Sequence, residues 1–148
     1  MRRTLADLLH DARRRIGRLE PAEAWEAARG GALIVDTRSD RSAGVVPGSL
    51  HIPLSVLPWR LDPDSGWRNH HVGGLGTWLI LLCEHGESSS LAAARLVELG
   101  FTRVGDVVGG FEAWNDAGLP VAAEPAAAAG LPGMGEPFGE PTDREPPF

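Results

Sequence analysis

Four short apolar runs alternate with segments of helical pattern, and this alternation narrows the fold more than any other feature of the chain. ALIVDT (32–37), SLHI (49–52), WLILLC (78–83) and RVGDVV (103–108) each read as a strand bounded by Gly, Pro or polar residues. Between them, SSSLAAARLVELG (88–100) predicts the clearest helix, capped by Ser88 or Ser89 and ended by Gly100. GFEAWNDAG (110–118) predicts a shorter one, ended by Gly118. Strands alternating with helices imply parallel βαβ units in a sheet covered on both faces, an α/β fold. In such sheets ligands bind at the carboxyl ends of the strands. Asp36 and Cys83 both stand at such ends.

The flanking segments fit the same scheme. Leu5, Leu8, Leu9, Ala12, Ile16 and Leu19 share one face at helical spacing, which predicts an amphipathic N-terminal helix extension over 1–19. Arg13, Arg14, Arg15 and Arg18 then fall in its last turns, where cations suit the helix dipole. A second helix starts at Pro21, buries Ala24, Trp25 and Ala28, and stops at Gly30-Gly31. Pro47-Gly48 marks a turn, and residues 55–76, with Pro58, Pro63, Gly66 and GGLG, read as an irregular excursion. His70-His71 within it lacks metal-ligand spacing. From Ala122 to the end there are six prolines and four glycines in 27 residues, which predicts a disordered tail over 122–148.

Charge excludes several functions. The net charge is −6, with six arginines against Asp7 and Asp11 in residues 1–18, so the remainder is strongly acidic. Such a surface is a poor partner for nucleic acid. No apolar run has the length of a bilayer span, and MRRTLADLLHD is interrupted by Asp7 and Asp11 where a signal peptide needs apolar residues. All 14 basic residues are Arg, a compositional bias rather than a choice of guanidinium chemistry. With one cysteine there is no intrachain disulfide and no Cys-rich metal site, and a reduced, cytoplasmic location is expected.

That cysteine, Cys83, ends the most apolar strand. A cysteine there is either a small buried hydrophobe or a nucleophile at a strand tip. CEHGESSS then leads directly into a helix. A tight loop before a helix N-terminus aims backbone N–H groups at the sulfur, a cradle that stabilises anions and lowers a thiol pKa. Gly86 lets the loop curl, and Ser88, Ser89 and Ser90 supplement its donors. A filler cysteine needs none of this, so the loop favours a nucleophile or anion site.

Four stretches in order carry a resemblance over about residues 20–121. IVDTR (34–38), GVVPGSLHIP (44–53), CEHGESS (83–89) and VVGGFEAWNDAGLPV (107–121) together look like a single-domain rhodanese. The resemblance implies a three-layer α/β/α domain over 20–121 with a central, mostly parallel five-stranded sheet. It implies sulfurtransfer, with Cys83 taking sulfane sulfur from a small donor or a protein persulfide and passing it to an external thiol or cyanide. No cofactor or metal is called for. Glu84, His85, Gly86, Glu87, Ser88 and Ser89 would form the active loop, and Asp36 and Arg38 would support it. Arg38 either neutralises the site or holds the loop.

Family members that use thiosulfate often carry Arg or Lys in the loop, whereas this chain has Glu84 and Ser88 at the matching positions and Glu87 between them. Val45 replaces the family's His in the Pro-Gly stretch. His85 either donates to the persulfide or is an exposed loop residue. A related phosphatase class begins its loop with Cys and closes it with Arg after five intervening residues; the matching position here is Ser89, which disfavours phosphoryl transfer. The remaining alternative is a non-catalytic rhodanese-fold docking or regulatory module.

Overall fold

The computed structural model describes residues 1–124. Its elements run α1 (Leu5–Arg15), β1 (Gly17–Leu19), α2 (Pro21–Arg29), β2 (Leu33–Asp36), β3 (Leu50–His51), α3 (Leu57–Leu61), β4 (Trp78–Leu82), α4 (Ser88–Glu98), β5 (Arg103–Val107) and α5 (Gly110–Asp116). The strands form one sheet in the order β1-β5-β4-β2-β3, and every strand pair is parallel. The α/β class expected from the strand and helix pattern and the five-stranded sheet implied by the resemblance are both present.

The period-two pattern of β4 divides the core. Leu79 and Leu81 join Val35, Ala93, Leu96 and Val104 on one face, beneath α4 and α3. Ile80 and Leu82 join Ala24, Ile34, Phe111 and Trp114 on the other, beneath α2 and α5. Both faces of the sheet are apolar and both are covered, as a parallel sheet requires. Helix α1 packs outside α4, and its start is fastened by a reciprocal cap between Thr4 and Asp7.

Two local expectations are corrected. The first helix ends at Arg15, and Gly17–Leu19 is a strand, paired Gly17 to Gly105 and Leu19 to Val107. Helical spacing of Ile16 and Leu19 is outweighed by pairing with the edge of β5, a contact nearly 90 residues away in sequence. The excursion at 55–76 contains α3 and a preceding 3-10 turn, Leu54–Val56, with Pro58 in the first helical turn. Beneath it Arg60 is buried and donates to the Trp67 carbonyl at 2.7 Å.

Ala122, where the tail was expected to begin, pairs with Val45 in an isolated antiparallel bridge. The rest of that expectation, residues 125–148, lies outside the described residues. Among the described residues no helix is long and apolar enough to cross a membrane.

Candidate active site

The chain leaves β2 toward β3 on one side and leaves β4 toward β5 on the other. Between the carboxyl ends of these neighbouring strands the connections diverge, and the crevice so opened is where parallel sheets accept ligands. A cleft of about 650 Å³ lies there, lined by Thr37 and Arg38 after β2, Pro53 to Ser55 after β3, and Cys83, Glu84 and Ser88 after β4.

Cys83 is only 5% exposed. Its Sγ accepts the Gly86 N–H at 3.1 Å and the Ser89 N–H at 3.4 Å, and lies 3.2 Å from the Ser89 hydroxyl. The loop holds this shape because its carbonyls are anchored on the outside. Cys83 O accepts from Phe111 N–H at 2.8 Å and Glu84 O from Glu112 N–H at 3.1 Å. Gly86 O accepts from Arg13 at 2.9 Å and Arg18 at 3.0 Å. These anchors fix the backbone of the loop from its outer side, with the Gly86 and Ser89 N–H groups on the sulfur side.

Two glycines make the loop possible. Gly86 has φ +80, and a Cβ there would lie 2.6 Å from Gly109 N. A Cβ on Gly110 would lie 2.4 Å from Cys83 O, so the Gly109-Gly110 pair lets the loop rest on the start of α5. Burial pushes the Cys83 thiol up, but the Ser89 and Ser88 hydroxyls and the Ser89 and Gly86 N–H groups outweigh it, leaving the thiol below its ordinary value.

The other expected site residues divide into those at the cleft and those beside it. Asp36 is fully buried and receives Arg38 Nε at 3.1 Å and Nη2 at 2.9 Å. Arg38 also donates to Gly44 O at 2.8 Å, lies 3.8 Å over the Phe111 ring and reaches Glu84 at 3.4 Å. Arg38 thus makes the bracing contacts of the two roles open to it. Glu84 faces the cleft and Ser88 lines it, while Glu87 is exposed. The His85 ring is exposed and bonded to Glu112 at 2.7 Å, on the outside of the loop.

The capping expectation for Ser88 or Ser89 is corrected: the N-cap is Glu87, without a side-chain bond. The buried serines are committed elsewhere. Ser89 and Ser90 donate to Asp106 Oδ2 at 2.8 and 2.7 Å, and Arg18 Nε donates to Asp106 Oδ1 at 3.0 Å. Arg13 adds a bond to Ser90 Oγ at 3.1 Å. Asp106, Arg13 and Arg18 were not anticipated as site residues, and Ser90, expected to supplement the loop's donors, gives its proton to Asp106 instead. The available signal was an acid inside the apolar run RVGDVV, because a fully buried Asp requires partners. Arg95, the first arginine after the loop, is exposed and paired with Glu98.

Known proteins with similar sequences include thiosulfate sulfurtransferases named GlpE. The one from Stutzerimonas stutzeri is 37% identical over 100 residues, covering 66% of this chain and 84% of the relative. The one from Haemophilus influenzae (strain PittEE) is 33% identical over 105 residues, covering 70% and 91%. Among solved structures, a protein of unknown function from Rhodopseudomonas palustris, described as a possible tyrosine phosphatase, superposes with a TM-score of 0.73 at 29% identity over 82% of this chain and 96% of that one. A human single-domain sulfurtransferase superposes with a TM-score of 0.55 at 26% identity over 69% and 96%. The model of the rhodanese-like domain matches residues 20–117, from the residue before α2 to the residue after α5, and it is to this family that the chain belongs.

Proposed function

We propose that the protein is a sulfurtransferase carrying sulfane sulfur as a Cys83 persulfide. The observation that carries this reading is the sulfur at the floor of an open cleft with two backbone N–H groups directed at it. Those donors suit an anionic sulfur, and they suit the terminal sulfur of a persulfide for the same reason. The Cys83 thiolate attacks the outer sulfur of the donor, a new S–S bond forms, and the donor's own S–S bond breaks with its electron pair leaving on the departing group. With thiosulfate that group is sulfite. The chain has no second cysteine to resolve the persulfide, so an external thiol or cyanide attacks the terminal sulfur and Cys83 departs as thiolate. An external thiol acceptor suits a reducing compartment such as the cytoplasm.

The cleft favours a donor other than a small dianion. The charge of Arg38 is bound by Asp36 and its remaining edge by Glu84, and Glu87 adds a second loop carboxylate. An uncharged or protein-borne persulfide meets less repulsion there. Thiocyanate formation from cyanide tests the reading with thiosulfate and a low-molecular-weight persulfide as alternative donors. Turnover that is faster with the persulfide and absent in Cys83→Ser supports it. No turnover with either donor, in a protein whose Cys83 is open to alkylation, supports a docking module instead.

A further inference from the structure

The Ser89 hydroxyl has one proton and two claimants. Its Oγ lies 2.8 Å from Asp106 Oδ2 and 3.2 Å from Cys83 Sγ. While the proton is given to the Asp106 carboxylate, Ser89 can offer the sulfur only a lone pair, which suits a thiol S–H and opposes a thiolate. To stabilise a thiolate, Ser89 must turn its O–H from Asp106 to sulfur. Asp106 tolerates that loss because Ser90 and Arg18 remain on it.

We propose that Asp106 is a positioning residue that competes with Cys83 for the Ser89 proton and thereby sets the balance between thiol and thiolate at the active site. It touches neither sulfur nor substrate and acts through Ser89. The charged and titratable groups around the pair come from every packed element. Arg18 of β1 neutralises Asp106, and Arg13 of α1 reaches Ser90 and Gly86 O. Glu84 and Arg38 face the cleft side, His85 pairs outward with Glu112, and Glu87 is exposed at the start of α4. Among the described residues, Asp106 is the one acid hydrogen-bonded to a residue that also contacts the sulfur. The family match begins after Arg18, so part of this device comes from the chain's own N-terminal segment.

The inference rests on Cys83 as the nucleophile of the proposed reaction, but ionisation can be read without sulfur transfer. The experiment is the pH dependence of iodoacetamide alkylation of Cys83, the only thiol, followed by intact mass. Asp106→Asn keeps the size of the side chain and weakens its claim on the Ser89 proton. The alkylation midpoint is expected to fall by about one pH unit, about tenfold in thiolate fraction below the midpoint. In a Ser89→Ala background the same change should shift the midpoint by less than half as much, since only the through-space charge remains. A midpoint that stays or rises in Asp106→Asn, as loosening of the loop would cause, overturns the proposal. So does an equal shift without Ser89. Should Asp106→Asn fail to fold, a carboxyl ¹³C titration of the wild type decides: the Asp106 signal must move at the Cys83 midpoint, and a static signal overturns the proposal. Failure to load sulfur with the midpoint shifts intact would overturn the proposed function alone.

Discussion

Arg38 and Glu84 face each other at 3.4 Å across the inner wall of the cleft, the guanidinium buried and the carboxylate half-exposed. The same guanidinium is bonded on its other edges to Asp36 and Gly44 O. Glu84 therefore occupies the edge of Arg38 left by Asp36 and Gly44, on the cleft side.

Glu84→Gln removes a charge beside the sulfur and releases that edge. A carboxylate within about 6 Å of a reacting anion opposes it by up to roughly 2–3 kcal/mol at an effective dielectric of about 20. Half-exposure reduces this, so kcat/KM for thiosulfate is expected to rise about tenfold, mostly through KM. Steady-state kinetics at low and high salt check it, with the gain shrinking as salt rises. No gain at low salt would show that Glu84 does not face the donor.

The two arginines behind the loop differ in what they leave exposed to loss. Arg13→Ala removes bonds to Gly86 O and the Ser90 hydroxyl, both neutral acceptors, and should cost about 1 kcal/mol. Arg18→Ala also strips the charge partner from the fully buried Asp106, and should cost roughly 2–4 kcal/mol. Urea denaturation of the two variants is expected to give clearly different midpoints, with Arg18→Ala the less stable.

Gly86→Ala combines a left-handed backbone with a Cβ placed 2.6 Å from Gly109 N. Because the obstruction is backbone, the loop must shift rather than a side chain swing aside. The variant should fold, since the core lies below the loop, but its alkylation midpoint should rise as the Gly86 N–H leaves the sulfur. Circular dichroism and alkylation rates separate the two effects.

The depressed Cys83 thiol also predicts a pH dependence of stability. An acid whose folded pKa lies below its unfolded value binds fewer protons when folded. Stability relative to Cys83→Ser therefore rises with pH from the folded midpoint up to the unfolded thiol value of about 8.5, then levels off. Paired thermal melts across that window check it, and a difference that falls with pH would contradict the cradle.

Much of the fold was legible because it is local. WLILL is continuously apolar as a strand buried on both faces must be, and α4 ends at Leu99-Gly100 with Gly100 at φ +105. β1 was not legible, since three residues in phase with the preceding helix become a strand only through β5. The site divided in the same way. Cys83, Gly86 and Asp36 announced themselves by position at strand ends and in the loop. Ser89 was legible as a loop residue but not as a link to Asp106, because that link joins α4 to β5 and is closed by Arg18 from β1. Arg13 and Arg18 were read as complements to a helix dipole, whereas both end on the Gly86 carbonyl.

The most direct test of the account is the intact mass of the protein after incubation with a sulfane-sulfur donor. The account predicts a gain of one sulfur, about 32 Da, lost on adding cyanide and never acquired by Cys83→Ser. A wild-type mass that stays unchanged with thiosulfate and with a persulfide donor alike, or a gain that survives in Cys83→Ser, would contradict it.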